Sequence, residues 1–279
     1  MNASSARPLS CLLSLCVLLS VARGQDKPAS SDDRKPPLKM NLVPVGDFPV
    51  SGAIIKNGFP VMVNPGPTEL VPNPLYAKDG KDYKSLSIIM NSPSASWTRP
   101  SGSVVDILTK KDDKYSTYLS VTLPDSPEDV TVFMLRHTPS NDWRETPRAV
   151  ILKNGIESFP LGSVRVVNFS SVPLQATVGE TVLTVPSKSF KIFPNPGKQG
   201  DSIFFQYEIT GTIGGADRQL ANTAVSYDKN SRMNLVAYDR DGKSEIKIEG
   251  DNQPVKVVKY FELPVQPAPA PAGSAAATP

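Results

Sequence analysis

Cysteine is nearly missing from this chain: Cys11 and Cys16 are the only two, and both lie in an apolar leader. Once that leader is removed the mature chain has none, which excludes disulfides, thiolate nucleophiles and cysteine-ligated metals together. Histidine is as scarce. His137 stands alone, so the expectation is no transition-metal site and no cofactor, and His137 itself reads as an edge or surface residue at the end of an apolar strand. Gly211, Gly214 and Gly215 precede no Lys-Ser step, so there is no phosphate-cradling glycine loop. Charge of one sign is missing too. Lys110-Lys111 is answered at once by Asp112-Asp113, and no basic stripe marks a nucleic-acid or membrane-surface partner. After the leader, no apolar run reaches the roughly 20 residues that cross a bilayer.

The leader itself has the plan of a signal peptide. Arg7 supplies its positive end, residues 9–21 form an apolar run broken only by serines, and Ala22-Arg23-Gly24 places small residues where a signal peptidase reads. Residues 1–24 are therefore expected to be removed, with cleavage before Gln25 and delivery to the periplasm or the outside of the cell. Cys16 follows Leu15, too large a residue for a lipoprotein site. Losing Arg7 and Arg23 takes the 30 basic residues to 28 against 27 acidic ones, a mature net charge of about +1. A protein exported without disulfides must be held by burial alone.

Two flanks cannot build a core. Residues 25–46 are rich in proline, lysine and aspartate and read as a polar spacer; residues 264–279 are a Pro/Ala-rich tail that reads as disordered. Between them the pattern has period two. Tyr115, Thr117, Leu119 and Val121 alternate with Ser116, Tyr118, Ser120 and Thr122; Ile203, Phe205, Tyr207 and Ile209 alternate with Phe204, Gln206, Glu208 and Thr210; Glu245 to Glu249 sorts charged from apolar strictly. Residues 130–135 and 149–152, apolar on both faces, suit central strands. The segment 216–227 also fits a helix, but it runs directly into the turn Asp228-Lys229-Asn230-Ser231, which favours a strand. The expected fold is all-β, two tandem antiparallel β-sandwich (Ig-like) domains over 47–155 and 156–263. A short internal match, Ser101 to Ile107 with Leu161 to Val167, supports the duplication.

The run Ser163-Val164-Arg165-Val166-Val167-Asn168-Phe169-Ser170-Ser171-Val172-Pro173, followed by Leu174 to Gly179, resembles the second domain of uncharacterised exported bacterial β-sandwich proteins. The similarity covers residues 162–193 and the strand 232–238. It implies a sandwich fold and export, and that family carries no catalytic residues to transfer.

The remaining residues with chemistry are few. Trp97, beside Arg99, and Trp143, beside Arg144, have polar neighbours. An indole in such a setting can stack on a sugar ring or anchor a protein interface, or it can cap a sandwich core. Asp239, Asp241 and Glu245 are too closely spaced for a calcium loop. Asn168-Phe169-Ser170 is a glycosylation sequon. With no catalytic motif, the reading is a non-catalytic structural or protein-interaction module of the cell envelope, its partner an envelope protein or polysaccharide. The alternatives are a carbohydrate-binding module using Trp97 or Trp143 and, third, a hydrolase built from carboxylates.

Overall fold

The computed structural model describes residues 37–262 apart from 50, 80, 101–102, 138–141, 200–201 and 241–252. The leader, most of the spacer, the tail and the Glu245 to Glu249 strand lie outside the described residues. Among the described residues there is no helix, and hence none long and apolar enough to cross a membrane.

The first half runs through β1 (Lys39–Val45), β2 (Gly52–Lys56), β3 (Phe59–Val63), β4 (Leu75–Asp79) and β5 (Asp82–Leu86). It continues with β6 (Trp97–Thr98), β7 (Val104–Lys111), β8 (Lys114–Thr122), β9 (Val130–Leu135) and β10 (Arg148–Lys153). The second half begins with β11 (Val164–Asn168), β12 (Leu174–Val178), β13 (Thr181–Val185), β14 (Ser189–Phe193) and β15 (Lys198–Gln199). It ends with β16 (Ser202–Ile213), β17 (Ala216–Asp228), β18 (Arg232–Asp239) and β19 (Val255–Glu262). The all-β expectation holds, and 216–227 is a strand.

Each half is two sheets facing one another across a core. In the first, β10-β9-β1-β6 faces β5-β4-β7-β8; in the second, β19-β18-β11-β14 faces a sheet in which β13, β12, β16 and β17 are neighbours in that order. The two orders correspond strand for strand, including one parallel pair in each half, β1 with β9 and β11 with β18. The topology is therefore duplicated. The sequence match is not its trace, however: Val104 to Ile107 lies in β7, whose counterpart is β16, whereas Val164 to Val167 lies in β11, whose counterpart is β1. Alternating valines in any buried strand produce that likeness.

Strand β1 corrects the spacer boundary. Met40 and Leu42 enter the first core, and Val43 and Val45 enter a separate cluster shared with the second half. Being buried on both faces, the segment has no period-two pattern to separate it from the proline-rich run before it. Pro44 is tolerated because its side of the strand meets a loop: Asn91 N–H donates to Pro44 O, and Ser94 N–H to Leu42 O.

That shared cluster joins Val43, Val45, Phe133 and Leu135 to Val167, Val236 and Tyr238. The β10-β9-β1-β6 sheet thus packs its outer face on the matching sheet of the second half, and the two halves form one compact unit. Six successive buried residues make β9 central, as its apolar run predicts. β10 is an edge strand instead: Ile151 faces the first core while Val150 and Leu152 face the second half, so packing rather than a further strand covers both faces. Tyr118 also departs from the alternation. A bulge opposite Ile107 and Leu108 turns it inward beside Leu119, where its hydroxyl donates to Trp143 O at 2.6 Å.

The connection between the halves is held rather than loose. Asn154 and Phe159 are buried, and Arg232 Nη1 donates to both of their carbonyls, at 2.8 and 2.9 Å. Glu262, buried at the same junction, accepts from Asn154 Nδ2 at 2.6 Å and Asn234 Nδ2 at 2.8 Å. Its carboxylate also lies 3.5 Å from Arg165 Nη2 and 3.1 Å from Arg232 Nη2. Phe159 lies against both guanidinium groups, with ring centroid distances of 4.2 and 5.0 Å. Burial pulls the Arg165 guanidinium below the ordinary arginine range, opposed by the charge of Glu262.

Candidate functional site

Neither tryptophan is placed to touch a ligand. Trp97 sits in β6 opposite Met40 and is 2% exposed; Trp143 is fully buried in the same core. The polar residues around Trp143 in sequence face outward: Asp142 folds back on Arg144 in a bidentate pair. The ring itself is buried, and the residue's backbone N–H donates to the Thr68 carbonyl. Both indole N–H groups are buried without an acceptor among the described residues, the cost of placing so large an apolar surface inside. Both rings follow the core alternative, which leaves no exposed indole surface for the binding role named for Trp97 and Trp143.

The sequon is structural as well. Asn168 is fully buried, and its Nδ2 donates to Val172 O, Val185 O and Pro186 O at 2.8, 3.0 and 3.2 Å. A nitrogen so engaged cannot carry a glycan in the folded protein. Asp239, first of the trio weighed as a calcium loop, accepts from Ser171 N–H and Oγ; Asp241 and Glu245 lie outside the described residues. Among the described residues no group of three or more histidines, cysteines or carboxylates could hold a metal.

Two features remain on the surface. The first is the β2–β3 hairpin, which has no counterpart in the duplicated topology and whose strands pair only with each other. Its two-residue turn is Asn57-Gly58, both at positive φ (53° and 80°), the conformation that matches strand twist. Successive residues Phe59 to Met62 are all exposed, so both faces of β3 meet solvent; Phe59 is 72% and Met62 69% exposed. Phe48, just before the hairpin, is exposed too. An Asn-Gly step between apolar runs was the signal available in the sequence for this element.

The second is a cleft of about 350 Å³ where the two halves meet at the end of their central sheets. The first half contributes Arg136 and His137 from the end of β9 and Arg148 from the start of β10; the second contributes Lys188 and Arg240. Val45, Leu135 and Phe169 supply apolar walls. Tyr238, between them, donates to Gly46 O at 2.8 Å across the junction, and burial pushes its phenol well above the ordinary tyrosine range. Arg136 lies over the Trp143 ring at 5.5 Å, and Arg240 Nε lies 3.4 Å from Asp47 Oδ1. No motif foretells this gathering, since the cationic residues come from separate segments.

Fold and surface together define an all-β protein of duplicated sandwich topology with an apolar hairpin and a cationic cleft. No protein-family model matches the chain, and no curated protein matches it in sequence.

Proposed function

We propose that this chain is an exported, non-catalytic β-sandwich module that makes protein contacts in the cell envelope. One observation carries the reading: the β2–β3 hairpin presents Phe59, Val61 and Met62 to solvent on strands that belong to neither sandwich. Exposed apolar side chains gathered on one projecting element are characteristic of surfaces that meet a partner. Phe59, Val61 and Met62 join none of the core clusters, so their apolar side chains need a reason outside the fold. A sugar-binding role through tryptophan has no exposed indole to rest on.

A photo-reactive amino acid placed at Val61 is expected to crosslink to an envelope protein in intact cells. Phe59→Ser with Met62→Ser should abolish that adduct while leaving stability within about 0.5 kcal/mol, as for other exposed substitutions. An adduct undiminished by the double substitution would overturn the reading.

The export half rests on Arg7, the apolar run and Ala22-Arg23-Gly24. N-terminal sequencing of the protein recovered from the envelope should begin at Gln25, and recovery of an intact Met1 end in the cytoplasm would defeat it.

A further inference from the structure

We propose that the cleft between the halves binds a small ligand bearing carboxylate or phosphoryl groups. This goes beyond the hairpin contact and is independent of it.

The charge balance is the first support. Among the described residues, Arg136, Arg148, Lys188 and Arg240 line the cleft, against one lining carboxylate, Asp239. That carboxylate is turned to its own half, where both oxygens accept from Ser171 N–H at 3.1 and 2.9 Å. Asp47, close by, is matched to Arg240. Arg148 and Lys188 are exposed and form no ion pair among the described residues. Arg148 from the first half and Lys188 from the second line the same cleft, so an oxyanion held there is favoured by both charges.

The second support is that the cleft is built rather than incidental. Lys188 sits at the tip of the turn after β13 with φ of 57°, a conformation that non-glycine residues adopt uncommonly. The turn is fastened from below: Asn168 Nδ2 donates to Pro186 O, and Ser187 Oγ donates to Ser170 O. The same buried asparagine thus fixes both Lys188 and the loop that brings Phe169 and Ser171 into the cleft. On the other side, Trp143 supports the Arg136 guanidinium. A volume of about 350 Å³ with mixed apolar and cationic walls suits a compact ligand with an anionic head.

Calorimetric titration of the mature protein at low ionic strength, with citrate and inorganic pyrophosphate as separate probes, tests this. At least one should bind saturably, at one site, with a dissociation constant at or below about 1 mM. It should also raise the unfolding midpoint, which sodium chloride of equal ionic strength should not. The tighter probe assigns the head group as carboxylate or phosphoryl. Arg148→Glu and Lys188→Glu should each weaken binding at least about tenfold, while the ligand-free unfolding midpoint stays within a degree or two, because both side chains are exposed. Absence of saturable binding by both probes, or undiminished affinity in both variants, overturns the proposal.

Discussion

Glu262→Ala is expected to destabilise the protein by about 3–5 kcal/mol, the usual result of removing one partner from a buried ionic group. Arg165 is 1% exposed and Arg232 9%, so neither guanidinium can turn to water when its carboxylate is lost. The carboxylate also accepts from Asn154 and Asn234, so the substitution leaves two amide donors short at the junction that joins the halves. Urea unfolding measures the loss, with exposed Glu157→Ala as a control that should stay within about 0.5 kcal/mol. A loss below about 1 kcal/mol for Glu262→Ala would show that the cluster does not hold the junction. Replacing Arg165, Arg232 and Glu262 together by apolar residues should cost much less than Glu262→Ala, because no buried charge is then left unmatched.

Trp143→Ala should cost a comparable amount, about 3–5 kcal/mol, from the cavity it leaves. The ring is fully buried, and the residue's own backbone carbonyl receives the Tyr118 hydroxyl. Denaturant unfolding reads the cost, and fluorescence gives an independent reading. Native emission from Trp97 and Trp143 should be blue-shifted and resist acrylamide, and both properties should disappear on unfolding. Red-shifted, quenchable emission from the native protein would contradict the burial and restore the indoles as candidate contacts.

Trp143 shows why local sequence misjudges a site. Asp142 and Arg144 are polar, but they satisfy each other on the surface and leave the ring between them free to turn inward. Polarity of neighbours in sequence says little about an irregular segment, where successive side chains follow no fixed period. In β16 the period is strict, and Ile203, Phe205, Tyr207 and Ile209 all point into the core as the alternation requires.

Sequence alone determined the class of this protein: period-two runs in 203–210 and most of 115–122, and turns such as Val178-Gly179-Glu180, leave little freedom but hairpins. Alternation works there because one face of each strand is wet and the other dry. Only the tertiary structure decided what becomes of strands dry on both faces. β1 disappears into the spacer by composition, and β10 passes for a central strand, because burial by a second half of the same topology leaves no periodic mark. The cleft depends on the same packing. Arg136, Arg148, Lys188 and Arg240 are distant along the chain and share no motif, and they become one cationic surface only where the two central sheets end together.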